Sequence, residues 1–386
     1  MRERVLVVHN AYQHRGGEDS VVEGEIALLR ARGHKVMTYT RHNDEITQLG
    51  KLALVRDTFW SARTVADMRR LLKTEKPDVI HVHNTFPLIS PALYWAAADL
   101  KVAVVQTLHN FRTLCPQAML LRNQQVCEDC LGKLPWRGVL RRCYRNSLAQ
   151  SAALAGMISM HRVLGTWNHK VTRYIALNEF CRQKFIEGGL PADRLVVKPN
   201  FVDFDSPREV ERKGFLFVGR LSAEKGIRTL VEASRMVGAA HIVVAGTGPE
   251  AGLLSAAANI DHLGQIERQQ IGTHMEQAQA LIMPSICYET FGMVAIEAFA
   301  SGTPVIASRL GAMKSLVSDG ETGLLFNPGD AGDLAIKIRW AQENPAEMAR
   351  MGQAARAHYE NHFTAERNYQ QLKAIYSDAI AEVKKH

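Results

Sequence analysis

Two α/β domains, each built on a parallel sheet, are predicted by three features of this sequence. Short apolar runs alternate with helix-length amphipathic stretches along the whole chain, the pattern of strands joined by crossover helices. After the last strand of the first half the alternation is interrupted by the polar stretch Asp203 to Lys213, and then restarts. At 386 residues the chain is also long for a single core.

In the first half, Val5 to Val8 reads as a buried strand running into the polar loop His9 to Gly17. A helix from about Glu18 to Arg32 follows, with Val21, Val22, Ile26, Leu28 and Leu29 facing inward, and Lys35 to Tyr39 is the second strand. Gly16 and Gly17 lie beyond a strand's carboxyl end and before a helix, where open α/β sheets bind ligands; a plain tight turn explains a glycine pair equally well. Residues 46–76 read as one helix, and Pro77 to Asn84 as a strand. His81 and His83 share one face of that strand, open to a structural role or to a metal. Val102 to Thr107 is the next strand, and His109 follows its carboxyl end. Ser147 to Trp167 is a helix, Tyr174 to Asn178 a strand, Phe180 to Gly188 a helix, and Leu195 to Val197 the last strand of this half.

Between these elements, the segment 111–144 holds Cys115, Cys127, Cys130 and Cys143. The Cys127–Cys130 spacing is that of a metal knuckle, so a structural zinc is one expectation, and thiols without a metal or a redox pair are the others. No acidic residue occurs between Asp129 and Glu179, while Lys133, Arg137, Arg141, Arg142, Arg145, Arg162, Lys170 and Arg173 account for the whole net charge of +8. Charge of one sign points to an anionic partner. The stretch lacks the aromatic–basic alternation of a nucleic-acid platform, so an anionic membrane surface contacted through 133–173 is the better expectation, a solvated face being the alternative.

The second half repeats the pattern, with strands at Gly214 to Val218, His241 to Ala245, Ile260 to Leu263, Ala280 to Ser285, Val305 to Ala307 and Gly320 to Phe326. The first of these ends in Gly219-Arg220-Leu221-Ser222-Ala223-Glu224-Lys225-Gly226, where a planar guanidinium and a mobile ammonium on one glycine-bounded loop suit a diphosphate. Gly246 and Gly248 bound the loop after the second strand. Glu289 and Glu297 flank Phe291, Gly292 and Met293 with seven residues between them, at the start of a helix that Ser301-Gly302-Thr303-Pro304 stops. A helix N-terminus attracts an anion, while a carboxylate one turn in suits hydroxyl donors. Together they describe a polyol joined to a phosphate. Phe363 to Val383 is a final helix.

The octapeptide 219–226 and the stretch 289–305 resemble the signatures of the retaining glycosyltransferases of family 4, and the resemblance covers nearly the whole chain outside the cysteine insert. It implies the glycosyltransferase B arrangement, two Rossmann-like domains facing across a cleft: 1–202 with the insert 111–144, a hinge 203–213, a nucleotide-sugar domain 214–362, and a terminal helix 363–386 returning to the first domain. It further implies a nucleoside diphosphate sugar as donor, His109 against the reacting sugar carbon, Gly16 and Gly17 near the diphosphate, and Asn200 in the linker signature. Arg220 and Lys225 would neutralise the diphosphate, Glu289 grip the sugar and Glu297 the ribose, with Gly219, Gly246, Gly248, Phe291, Gly292 and Met293 lining the nucleotide. No catalytic metal is expected, since Arg and Lys stand where a metal clamp would. The insert resembles one in a bacterial subgroup tied to surface polysaccharide assembly, which implies a lipid-linked saccharide acceptor. Asn110 stands where family members more commonly have Asp. A nucleotide-sugar epimerase of the same fold and a non-catalytic membrane-associated binding protein stay open as alternatives. The four apolar residues Val5 to Val8 are too short for a signal-peptide core, and the longest uncharged run, Val79 to Ala98, is broken by His81, His83, Pro87 and Pro91. The expectation is a cytoplasmic protein, peripheral on the inner face of the plasma membrane.

Overall fold

The computed structural model describes residues 2–13, 15–204, 210–238 and 240–385. It divides into two compact units, the first made of Met1–Leu120, Glu128–Pro199 and Asn368–His386, the second of Leu121–Cys127 and Asn200–Arg367. Residues 205–209 of the expected hinge lie outside the described residues.

The strands of the first unit are β1 (Arg4–Ala11), β2 (Lys35–His42), β3 (Val79–Asn84) and β4 (Ala103–Thr107). A short antiparallel hairpin, β5 (Leu121–Arg122) with β6 (Gln125–Val126), follows β4 in sequence but clusters with the second unit, and the first unit's series resumes with β7 (Arg173–Ala176) and β8 (Leu195–Val197). The sheet runs β2-β1-β3-β4-β7-β8, and its pairs are parallel. β3 and β4 are buried along their full length, as strands covered on both faces must be. The second unit contains β9 (Phe215–Val218), β10 (Ile242–Ala245), β11 (Ile260–Gly264), β12 (Ala280–Met283), β13 (Val305–Ser308) and β14 (Gly323–Phe326). Their order, β11-β10-β9-β12-β13-β14, is the doubly wound Rossmann order. Strand order therefore reverses between β1 and β3 in one sheet and between β9 and β12 in the other. Ligand crevices form at such reversals, beyond the carboxyl ends of the strands.

The last helix, Ala365–Lys385, belongs to the first unit from Asn368 onward. Leu372, Ile375, Tyr376 and Ala379 are spaced three, one and three apart, so they form one stripe, and they bury against Val5, Val7, Val22, Val79 and Val105. Asn368 Nδ2 donates to the carbonyl of Pro199 at 2.7 Å.

Two expected helices are divided, and one further helix is added. Residues 46–76 form a 3₁₀ turn, Asn43–Gln48, and two helices, Lys51–Phe59 and Ala62–Glu75. The break is at Trp60-Ser61, where the Ser61 hydroxyl caps the second helix by accepting from Thr64 N. Residues 147–167 give Leu148–Val163 and Thr166–His169, parted at Gly165, whose φ of 68° ends the first run. The final segment is preceded by a further helix, Pro345–His362.

Candidate active site

In the second unit, the loops after β9 and β12 meet at the strand-order reversal. Gly226 makes this possible: its φ is +73°, and a Cβ there would lie 1.9 Å from the carbonyl oxygen of Pro284. Ile286 N donates to Glu224 O at 3.0 Å, tying the two loops a second time. Across this junction Lys225 Nζ donates to Glu289 Oε1 at 2.6 Å, and Ser285 Oγ donates to the same oxygen at 2.6 Å. Burial pushes the Glu289 carboxyl up, but the Lys225 ammonium and the two hydrogen bonds hold it below the usual carboxylate range. Burial likewise works against the Lys225 ammonium, and Glu289 more than offsets it. Arg220, on the same loop, is exposed.

Gly292 begins the helix Met293–Ala300 with a φ of 85°, and Phe291 beside it is buried against Phe363. Glu297 lies one turn into that helix with Arg268 at 3.7 Å, and burial raises its carboxyl above the ordinary value. Gly246 and Gly248 are accounted for by packing. A Cβ at Gly246 would sit 1.9 Å from Gly219 O, and one at Gly248 2.3 Å from Leu221 O, so both glycines let the loop after β10 press on the Gly219–Lys225 loop. Asn200 is buried, and its Oδ1 has no hydrogen-bond partner.

In the first unit, the loop after β1 meets the end of β3. Asn84 Nδ2 donates to Asn10 O at 3.0 Å, and Leu88 N donates to Asn10 Oδ1 at 2.9 Å. Gly16 is the N-cap of the helix Gly17–Ala31, and its N–H donates to Asp19 Oδ2 at 2.8 Å. A Cβ on Gly17 would meet nothing within 4 Å, so no part of the chain itself demands glycine there. Glu18 accepts from the Tyr12 hydroxyl at 3.0 Å and from Asn110 at 3.5 Å, and burial pushes its carboxyl up to about 8. His109, just past β4, faces His83, with His109 Nε2 2.9 Å from His83 Nδ1. Burial pushes the His109 imidazole down to about 3.

Behind these two rings lies a buried charge centre that the sequence reading did not identify. Lys198 Nζ donates to Glu25 Oε1 at 2.6 Å, with both side chains essentially sealed from solvent. Glu25 Oε2 lies 3.6 Å from His81 Nδ1 and 3.5 Å from His83 Nε2. The signal was present in part: Glu25 falls on the inward stripe between Val21, Val22 and Leu29, where a carboxylate needs a partner. Among the described residues, Glu25, His81 and His83 are the one group of three whose ligand atoms lie within 4.8 Å of one another. They fit a metal poorly. The Lys198 ammonium already serves the carboxylate, and His81 is committed on both nitrogens, to the Tyr376 hydroxyl at 2.7 Å and Thr107 Oγ1 at 2.8 Å.

The structure gives the zinc expectation no support. Cys115 and Cys130 are buried and Cys127 and Cys143 partly exposed, but among the described residues no three of these sulfurs form a metal-capable group. Cys127 clusters with the second unit, whereas Cys115, Cys130 and Cys143 belong to the first.

Residues 15–206 match the family described as Glycosyltransferase Family 4, and residues 200–358 that described as Glycosyl transferases group 1. The chain belongs to the family 4 glycosyltransferases. It is 33% identical over 190 residues to a phosphatidyl-myo-inositol mannosyltransferase of Mycobacterium leprae (strain TN), covering 45% of this chain and 50% of that protein. It is 32% identical over 152 residues to a glycogen synthase of Mycobacterium tuberculosis (strain CDC 1551 / Oshkosh), 36% of each chain. These matches span about a third to a half of the relatives' length. Among solved structures, sucrose-phosphate synthase from Thermosynechococcus elongatus superposes with a TM-score of 0.73 at 20% identity, covering 99% of this chain and 100% of that one. Anabaena HepE in complex with UDP-glucose gives 0.69 at 17% identity, covering 97% and 100%. The fold is that of the glycosyltransferase B enzymes.

Proposed function

We propose that this protein is a retaining glycosyltransferase that moves a sugar from a nucleoside diphosphate sugar to an acceptor hydroxyl. The observation that carries the reading is the Lys225–Glu289 pair, set at the strand-order reversal of the second unit with Arg220 on the same loop. A cation pair and two carboxylates at a Rossmann switch point suit a ligand that is anionic at one end and rich in hydroxyls at the other. The helix N-terminus at Gly292 adds N–H groups for the phosphate. The UDP and UDP-glucose complexes of the structural relative HepE support a nucleotide-sugar donor.

In this mechanism Arg220 and Lys225 take the charge that develops on the departing diphosphate, the term expected to dominate. Glu297 accepts from the ribose hydroxyls, and Glu289, handed from Lys225 to the sugar, accepts from a sugar hydroxyl. His109 is the first unit's group for the reacting sugar. The anomeric C–O bond breaks with its electron pair going to the phosphate oxygen. That oxygen takes the acceptor's proton as the acceptor oxygen bonds to the same face of the carbon. Glu289 is held ionised by Lys225, which suits a hydrogen-bond acceptor better than a general acid. We expect the chemistry to proceed without a divalent ion, so activity persists in EDTA.

The acceptor we infer is a lipid-linked saccharide, presented at an anionic membrane surface of the cell interior. Supporting this, Leu134, Trp136, Leu140, Leu148, Val163 and Leu164 are exposed within the same basic segment as the exposed Lys133, Arg142 and Arg145. No helix among the described residues is long and apolar enough to cross a membrane.

A thermal-shift panel of UDP, GDP, ADP and CDP with their common sugar conjugates tests the reading. Saturating ligand at 100 times its dissociation constant should stabilise the fold by about 2.7 kcal/mol. One base should produce the shift, and Glu297→Ala should weaken it. No shift with any nucleotide would favour a binding protein, and donor consumed without acceptor an epimerase.

A further inference from the structure

A guanidinium taken partly out of water needs an anion, and among the described residues Arg112 forms no ion pair. It lies just past β4 and is half-buried. Its backbone N–H donates to Asn110 Oδ1 at 3.1 Å, and its guanidinium gives one N–H to the carbonyl of Pro116. The guanidinium carbon lies 4.6 Å from the centre of the Phe86 ring and 5.2 Å from that of Tyr144, so two aromatic faces hold it in place. Burial pushes the group below its ordinary value, and Tyr144, Tyr12, Cys115 and lastly Glu18 act against that. Glu18 is the one carboxyl among them, and burial pushes it up to about 8, so at pH 7 it supplies little negative charge.

Arg112 lines a cavity at the carboxyl ends of β3 and β4, together with Asn84, Phe86, Gln106, Thr113 and Trp167 among others. The cavity measures about 40 Å³, room for about three waters, the scale of one oxyanion head group and not of a sugar ring. Its wall residues are short of partners. Gln106 Oε1, Thr113 Oγ1 and Trp167 Nε1 make no hydrogen bond, and all three side chains belong to residues more than nine-tenths buried. An acceptor, a hydroxyl and a donor suit hydroxyls or ordered water beside a charged group. The planar fork of Arg112, with N–H groups to spare after Pro116, suits two oxygens of one anion. Stacking on two rings and one bond to a carbonyl would give a loop its shape without a charge; the charge calls for an anion from outside the chain.

We infer that Arg112 is a specificity-determining residue that binds an oxyanion, a carboxylate or a phosphoryl group, on the molecule received by the first unit. That this molecule is the sugar acceptor rests on the proposed function; the anion site itself does not. Two kinds of acceptor carry the chemistry: an acidic sugar through its carboxylate, and a lipid-linked saccharide through its phosphoryl group.

The test is isothermal titration calorimetry of the full chain with glucuronic acid and with inorganic pyrophosphate, glucose serving as the neutral control. The second unit's site is first saturated with the nucleoside diphosphate that gives the largest thermal shift, which keeps the probes off Arg220 and Lys225. Should no nucleotide bind, a Lys225→Met background serves the same purpose. The wild type should bind at least one of the anions and not glucose. Arg112→Gln should weaken that binding about ten- to a hundredfold, the loss of charge-assisted hydrogen bonds, while its nucleotide-dependent thermal shift stays that of the wild type. Arg112→Lys, which keeps the charge without the fork, should fall between. Binding of glucuronic acid alone would support an acidic sugar, and binding of pyrophosphate alone a phosphorylated acceptor; either sustains the site. If Arg112→Gln fails to fold, the ¹⁵Nε–¹Hε NMR signal of Arg112, assigned with Arg112→Lys, should move saturably with the anion and not with glucose. No anion bound by the wild type, glucose bound as well as the anions, or unchanged affinity in Arg112→Gln overturns the inference. Anion binding that depends on Arg112, in a chain that transfers no sugar, would instead overturn the proposed function and keep the site.

Discussion

Lys225 and Glu289 are each other's counter-ion at 2.6 Å, so a diphosphate that engages Lys225 must take it from the carboxylate. Lys225→Met should abolish the nucleotide-dependent thermal shift and, by leaving a buried carboxylate with Ser285 alone, lower stability at pH 7 by about 1–3 kcal/mol. The folded pKa of Glu289 lies below its ordinary 4.5, so its contribution is present above that pH and lost as pH falls through the folded value. The difference between wild type and variant in urea midpoint should therefore shrink from pH 7 toward pH values below 4.5. Glu18 behaves in the opposite sense. Its folded value of about 8 exceeds 4.5, so it favours the folded state fully below pH 4.5 and progressively less up to pH 8. Tyr12, Asp19, Asn110 and Arg112 are the groups that modulate it. Glu18→Gln, which stays neutral, should gain on the wild type by about 1.4 kcal/mol per pH unit across that window, measured by urea unfolding. At this scale the sequence displayed what sits at strand ends, and Arg220, Lys225, Glu289 and His109 could be named because apolar runs place the ends. Glu25, Lys198 and Tyr376 could not be connected, since their partners lie 173 and 295 residues away and no local spacing records such a meeting.

Elements were legible where periodicity was unbroken and illegible where a single residue breaks it. The twelve parallel strands follow from their apolar runs, while their order in each sheet was not read from the sequence. Ser61 and Gly165 divide helices whose apolar periodicity carries straight through them, because a cap or a left-handed residue acts on the backbone and leaves the pattern intact. At Gly246 and Gly248 the sequence shows a glycine-rich loop next to a strand, and the geometry adds a packing reason for glycine that no local pattern displays, backbone pressed on backbone. Gly226 offers the sharpest check. Gly226→Ala puts a Cβ 1.9 Å from a carbonyl oxygen at positive φ, so the loops after β9 and β12 must part. The variant should lose nucleotide binding while Gly17→Ala, in open space, keeps its melting temperature within a few degrees.

Across the whole molecule, the net charge of +8 resides in one segment, and the structure refines its availability. Arg137 and Arg141 pair with Asp129, and Arg173 with Glu382, so three of the eight cations are partly neutralised within the fold. Lys133, Arg142 and Arg145 remain exposed among the bare side chains of Leu134, Trp136 and Leu140. Co-sedimentation should show binding to vesicles containing phosphatidylglycerol and not to neutral phosphatidylcholine. Each of Lys133→Gln, Arg142→Gln and Arg145→Gln should weaken it by about 1 kcal/mol, and Trp136→Ser should weaken it as well. Equal retention by neutral vesicles, or no effect of the substitutions, would remove the membrane from the account.

The first unit is assembled from segments far apart in the sequence: its sheet is complete by Val197, yet Tyr376, which closes over His81, follows only after the whole second sheet. On a ribosome adding about 5–20 residues per second, about nine to thirty-six seconds separate those two events. Until then the sheet residues Val5, Val7, Val79 and Val105 lack the burial that Leu372, Ile375 and Ala379 give them in the folded unit. The sheet of the second unit, β9 to β14, lies wholly after Asn200, emerges and can fold during the same interval. Completion of the first unit thus waits on residues translated after the second sheet, and chaperone dependence of the newborn protein should be concentrated in the first unit.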